Sequence, residues 1–322
     1  MKTLDATVFL EGHDKELERE LFEKILCGEE IVRPVFVVCA PRVGSTLIYQ
    51  ALANVFGLTY FSNATNDLFS KTPALGLLRE SKNKENKYLL SYFSQYGKTS
   101  GLRETSEASA IFGNWFGGGH PSESVSSDVK SVDAGLHMQR TFAASKVITG
   151  RDHVSKNPWN SFRIKSLASH FPEATFVWIR RSIDASAISD LENRIARGNP
   201  NEIWNSATTA NYKDIQKRPY VEQVVLQQYY YSMSIKRALD GHEQSNVFEV
   251  WYEDLCATPR KVFAELCAGF EACDMAIGSP SLDVLDEIRP SKGVKNELPD
   301  DYQKILDFIK SDNRYSSMLH QT

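Results

Sequence analysis

Val35-Phe36-Val37-Val38-Cys39-Ala40-Pro41-Arg42-Val43-Gly44-Ser45-Thr46 joins an unbroken apolar run to a turn and then to a helix start. A short continuous run of β-branched and aromatic residues is the pattern of a strand buried on both faces, as in a parallel sheet. From Ser45 to Phe56 the apolar residues Leu47, Ile48, Leu52, Val55 and Phe56 recur at helical spacing, and Gly57 is placed to stop that helix. Leu58 to Phe61 then reads as a second strand. Strand, turn, helix and strand in that order open a βαβ unit.

The alternation extends in both directions. Upstream, Asp14 to Leu26 reads as an amphipathic helix carrying Leu17, Leu21, Phe22, Ile25 and Leu26. Downstream, His153-Val154-Ser155 is a short strand leading into Lys156-Asn157-Pro158, with a helix from Asn160 to His170. Ala174 to Ile179 is a buried strand and Asp184 to Arg197 the helix after it. Tyr220 to Leu239 is a long helix, and Val247 to Trp251 a further strand. Thr258-Pro259 reads as an N-cap followed by proline at the first helical position, opening a helix to Phe270. The expected architecture is a single α/β domain over residues 1–322, a three-layer α/β/α arrangement with a central, mostly parallel sheet flanked by helices, and a helical lead-in at 1–30.

Residues 62–150 are less regular. Helix is expected within Leu75 to Ser94, whereas Gly117-Gly118-Gly119-His120 and Ser122 to Ser131 read as a flexible loop. The segment is either a solvated excursion or a lid over a site.

Composition narrows the partners. Over 322 residues, Lys plus Arg is 37 and Asp plus Glu is 41, a net charge of −4. That balance argues against a general nucleic-acid or polybasic membrane binder, but not against a focused basic pocket. The cysteines Cys27, Cys39, Cys256, Cys267 and Cys273 form no Cys-x-x-Cys pair and read as buried thiols of a reducing compartment. The charged N-terminus lacks a signal-peptide core and no apolar run is long enough to span a bilayer, so a cytoplasmic location is expected.

The chemistry concentrates in Pro41 to Thr46. Between a buried strand and a helix, backbone N–H groups converge on an anion and the helix N-terminus adds partial positive charge. Against the phosphate-loop pattern G-x-x-x-x-G-K-[ST], Gly44 and Thr46 keep register, Cys39 replaces the first Gly and Ser45 replaces the Lys. Arg42 supplies charge in place of that Lys. The alternative reading is a tight turn with Ser45 as a plain N-cap. A second feature is Arg181 at a strand end with Ser189 eight residues on in the next helix. An Arg and a hydroxyl so placed can clasp one phosphate, although a surface ion pair and a filler serine would look the same.

Together these features resemble the two nucleotide-binding motifs of sulfotransferases that use 3′-phosphoadenosine-5′-phosphosulfate (PAPS). Pro41-Arg42-Val43-Gly44-Ser45-Thr46 is similar to the family's 5′-phosphosulfate loop, Pro-Arg-Ser-Gly-Thr-Thr. Phe176 to Ser189 is similar to its 3′-phosphate motif, with Ser182-Ile183 in place of Asp-Pro after the Arg. Lys156-Asn157-Pro158 before Phe171-Pro172-Glu173-Ala174, and Tyr252-Glu253-Asp254-Leu255 before Pro259, are also family-like, so the resemblance runs from about Val35 to Phe270. It is closest to the bacterial members and implies a P-loop-type fold, PAPS as donor with 3′,5′-adenosine bisphosphate (PAP) as product, and no metal. It further implies in-line transfer of a sulfuryl group to a hydroxyl or amine of a small-molecule or glycan acceptor. Residues 62–150 would then be the acceptor side. Pro41, Arg42, Val43, Gly44, Ser45 and Thr46 would hold the 5′-phosphosulfate and Arg181 and Ser189 the 3′-phosphate, while Lys156 would stabilise the leaving group.

Glu107 is the expected general base, with Asp67 and His153 as alternatives. Glu107 precedes the aromatic cluster Phe112, Trp115 and Phe116, Asp67 lies about where some related enzymes carry a Glu, and His153 corresponds in type to the His of cytosolic members. Tyr49, Tyr60, Trp115 and Trp159 are candidates to line an acceptor site, though aromatics are more often core. The competing functions are a P-loop kinase or NTPase, against which the missing loop Lys counts, and a non-catalytic nucleotide-binding scaffold.

Overall fold

The computed structural model describes residues 6–26, 28, 31–82, 89–94, 97–117, 127–242, 246–289 and 299–320, with side chains from residue 13 onward. In chain order, α1 (Ala6–Ile25) leads to β1 (Val35–Cys39), α2 (Ser45–Phe56), α3 (Asn63–Leu68), α4 (Pro73–Ser81), α5 (Ser109–Phe116) and α6 (Val132–Thr149). Next come β2 (Val154–Lys156), a 3₁₀ turn at Pro158–Phe162, α7 (Ile164–His170), β3 (Thr175–Arg180), α8 (Ile183–Ala196) and α9 (Tyr212–Ile215). The remainder is α10 (Tyr220–Leu239), β4 (Val247–Trp251), α11 (Tyr252–Ala257), α12 (Pro259–Ala272), a 3₁₀ turn at Leu282–Glu287, α13 (Pro299–Lys310) and a 3₁₀ turn at Asn313–Met318.

The sheet has the order β2-β1-β3-β4, and every pairing is parallel. Every residue of β1 is fully buried, which is why that strand carries no polar residue. Register pairs Val37 with Lys156, Cys39 with Ile179 and Arg180 with Trp251. The C-terminal ends of β1, β2 and β3 therefore lie side by side.

Leu58 to Phe61 is not a strand. Thr59 makes one parallel bridge to His153, and the chain then turns away because Phe61 dives into the core, its ring 4.2 Å from that of His153. The expected helix from Asn160 is also broken. Asn157 Oδ1 accepts from Trp159 N at 2.9 Å and starts a 3₁₀ turn. The α-helix begins only after Arg163, whose buried guanidinium lies 4.4 Å over the Phe116 ring. Thr258 occupies the N-cap of α12 without a side-chain cap bond. Its hydroxyl instead donates back to Asp254 O at 3.3 Å. Among the described residues of Leu75 to Ser94, helix is confined to α4, and residues 83–88 lie outside the described residues. Of the expected loop, residues 118–126 lie outside the described residues, while Ser131 caps α6 by accepting from Ala134 N.

The main core surrounds the sheet, and a second cluster joins Ile183, Ala187, Ile188 and Leu191 of α8 to Val224 and Val225 of α10 and to Ile305, Ile309, Tyr315 and Met318. Helix α1 is seated by Glu18, which accepts from Ala74 N at 2.8 Å. Trp115 Nε1–H donates to His137 Nδ1, leaving Nε2–H of His137 to donate to Glu18 at 2.8 Å. The thiols are less buried than expected: Cys39 is buried, whereas Cys256, Cys267 and Cys273 are half-buried. Cys27 lies outside the described residues. Among the described residues no helix is long and apolar enough to cross a membrane.

Candidate active site

The turn after β1 is held by its own carbonyls. Ser161 Oγ donates to Cys39 O at 2.8 Å and accepts from Cys39 N at 2.9 Å. Gln228 Nε2 donates to Pro41 O at 3.0 Å, and Arg181 Nη1 to Arg42 O at 3.2 Å. Arg42 (φ 66°) and Gly44 (φ 85°) both adopt left-handed backbone. Gly44 is required twice over, since a Cβ there would meet Tyr252 Cδ2 at 2.3 Å. Gly44 is also the N-cap of α2 and, having no side chain, makes no cap bond to that helix. No cap side chain therefore competes for its first N–H groups, unlike in the reading of Ser45 as a plain N-cap. Val43 points the other way: its side chain is buried behind the loop beside Ile179 and Met318. Any contact of Val43 with a ligand is through its backbone.

Lys156 ends β2 and is 2% exposed. Its Nζ pairs with Glu107 Oε1, and the neighbouring Asn157 Nδ2 donates to Glu107 O at 2.8 Å. Glu107 is thereby fixed by both its carboxylate and its carbonyl. Arg181 follows β3 and lies 4.8 Å over the Tyr252 ring. Its Nε is buried with no hydrogen-bond acceptor among the described residues, a donor that suits an anionic ligand.

These groups open onto one cleft of about 1120 Å³. Pro41, Arg42, Gly44, Ser45, Thr46, Glu107, Lys156, Trp159, Arg181 and Ser189 all line it. Asp67 and His153 do not. Asp67 is exposed on α3. His153 is enclosed by Phe61 and Phe142, binds Ser145 Oγ at 3.0 Å through Nδ1, and is pushed down to about 3 by burial. A neutral ring walled off in this way reaches no ligand in the cleft. Tyr49 and Trp115 are core, and Tyr60 donates to Arg103 O instead of facing the cleft. Of the four aromatic candidates only Trp159 borders the cleft, and the aromatics beside it there are Tyr92, Phe93 and Tyr252.

Sequence reasoning did not assign Tyr252 a role, although the segment carrying it was singled out. The ring fills the space above Gly44 and carries Arg181, and neither contact has a local signal. Lys98, Asn193, Arg197 and Asn205 also border the cleft. Asn193 and Arg197 lie one and two helical turns beyond Ser189, the one regularity that points to them. Among the described residues no three His, Cys, Asp or Glu converge as metal ligands.

The family model "Sulfotransferase family" matches residues 34–272. Among solved structures, a sulfotransferase from Mycobacterium avium superposes with a TM-score of 0.52 at 15% identity, over 94% of this chain and 81% of that one. One from Mycobacterium tuberculosis H37Rv gives 0.47 at 12%, over 86% and 80%. One from Alicyclobacillus acidocaldarius gives 0.45 at 13%, over 91% and 98%. No curated protein sequence matches the chain significantly. The Mycobacterium avium likeness speaks for the fold alone, and the α/β sheet agrees with it. With the family model covering most of its length, the chain belongs to the sulfotransferase family.

Proposed function

We propose that this chain moves a sulfuryl group from PAPS to a hydroxyl or amine of a small-molecule or carbohydrate acceptor. It does so as one domain over 1–322, with 62–150 forming the acceptor side. The observation that carries this reading is the shared cleft, where the uncapped start of α2, Arg42, Lys156, Arg181 and Ser189 meet. A ligand with anionic groups at both ends matches that distribution, and the acceptor-less Nε of Arg181 suits the second of them.

The donor supplies the sulfuryl group and a phosphate leaving group. The loop N–H groups and Arg42 hold charge at the 5′ end, and Arg181 with Ser189 holds the 3′-phosphate. Lys156 Nζ turns from Glu107 toward the leaving group, where it offsets developing charge. Glu107, released from that pair, takes the acceptor's proton. Fixing both reactants against these groups provides the larger part of the acceleration, as in phosphoryl transfer.

The test is thermal unfolding with PAP against ATP–Mg²⁺, followed by transfer of labelled sulfate from PAPS to an acceptor panel. At a hundredfold excess over Kd, PAP stabilises the fold by about 2.7 kcal/mol. Stabilisation by ATP–Mg²⁺ alone would overturn the donor. Binding of PAP with no label transferred to any hydroxyl or amine would reduce the protein to a scaffold.

A further inference from the structure

We infer that the C-terminal segment 299–320 is the positioning element for the 3′-phosphate grip, acting through Ser182 and Asp184 on Arg181. The inference rests on the donor reading above. The segment lies beyond residues 34–272, the part matched by the family model.

The turn that presents Arg181 runs through Ser182 and Ile183, and neither fixes its own backbone as proline does. Its rigidity comes from outside. Ser182 N donates to Glu253 Oε1 at 3.0 Å. Ser182 Oγ donates to Asp184 Oδ1 at 2.6 Å and accepts from His320 N at 3.4 Å. The second oxygen of Asp184 accepts from Tyr302 OH at 3.2 Å. His320 is held in turn, by Asp254 Oδ1 at 3.1 Å and by the Trp251 ring at 5.2 Å between centroids. An unbroken chain of hydrogen bonds thus runs from Tyr302 through Asp184, Ser182 and His320 to Asp254.

The residue before the grip is tied down as well. Arg180 donates to Ser317 O at 3.0 Å and to Glu249 at 2.6 Å, and its guanidinium lies 4.2 Å over Trp251. Met318 reaches behind the loop, where it borders a small space with Val43, Arg181 and Ser186. Ile305, Ile309, Tyr315 and Met318 pack on the apolar face of α8, the helix that carries Ser189. The segment therefore backs both halves of the grip while itself lining none of the cleft. A grip that is worth its full strength only when two groups are held in place loses affinity when its backing is loosened.

The experiment compares PAP with AMP, which lacks the 3′-phosphate, by calorimetry on the full chain. The variants are Tyr302→Phe with His320→Ala together, and Ser182→Ala separately. The unaltered chain binds PAP more tightly than AMP. In each variant PAP affinity falls roughly tenfold while AMP affinity holds, the KM for PAPS rises with kcat little changed, and His320→Gln, which still donates to Asp254, restores PAP binding. Equal losses for both ligands would mark a merely structural role and overturn the inference, as would an undiminished preference for PAP. Equal affinity for PAP and AMP in the unaltered chain would overturn the donor reading and this inference with it.

Discussion

Arg42 holds a left-handed backbone that a side-chain-bearing residue rarely adopts, at φ 66°. Such a conformation costs on the order of 1–3 kcal/mol and persists only where neighbours enforce it. Gln228 and Arg181 do so by holding the carbonyls of Pro41 and Arg42. Arg42→Ala keeps that enforcement and removes the charge, so PAP binding should weaken by about 1.5–3 kcal/mol in calorimetry. Unaltered affinity would mean that Arg42 does not meet the donor. Glu107→Gln should leave PAP binding intact and lower turnover by roughly 10²–10⁴, the usual worth of a positioned base. Retained turnover would remove Glu107 from that role. That Arg42, Lys156, Arg181 and Ser189 border one cleft is foreseeable from the sequence because their motifs are local. The partnership of Glu107 with Lys156 is not, since it closes across 49 positions of chain.

At the level of elements, legibility followed side-chain size. The apolar spacing predicts helix α10 with its observed bounds because Val224, Val225, Leu226, Tyr231, Ile235 and Leu239 lie on its buried face. Helix α6 is hard to read because its pattern is mixed: Met138 and Phe142 are fully buried, but polar residues share that face and apolar ones stand outside. Thr141 and Ser145 are fully buried on it, while Val132 is 86% and Leu136 44% exposed. An apolar-inside template matches such a helix only weakly. Between α8 and α10 lies another buried polar feature, in which Arg194 pairs with Asp190 at 2.9 Å and both are fully buried. Gln223 accepts from Arg194 Nη1 and Gln227 from Nη2, and Asn205 donates to Asp190. Removing one partner strands a buried charge. Asp190→Ala should therefore cost about 3–5 kcal/mol in urea unfolding. A loss below about 1 kcal/mol, the range of exposed pairs, would show that water reaches Arg194.

Across the whole molecule, His153 couples the core to pH. Burial holds its folded-state value near 3, against 6.5 for the ordinary side chain. The unfolded chain therefore takes up a proton between those limits that the native state refuses. Stability is complete above about pH 6.5 and falls by about 1.4 kcal/mol per pH unit as the medium is acidified toward 3. His153→Phe should flatten that limb of the stability–pH curve relative to the unaltered protein. An unchanged slope would assign acid sensitivity to other groups. The strand and helix alternation made the parallel sheet foreseeable, but not its number of strands. Leu58 to Phe61 has a strand's composition, and only the burial of Phe61 beneath His153 turns it aside.

The order β2-β1-β3 gives the sheet one more property. Lys156, Arg42 and Arg181 leave three neighbouring strands, and parallel neighbours stand about 4.8 Å apart. The lateral pitch of the strand ends from which the three cations reach out is thus set by the backbone lattice. The sheet works as a ruler for the charges of whatever lies across it. A ligand with the same charge on a shorter or longer frame would be out of step with it. Such discrimination would survive wide variation in the side chains between the marks.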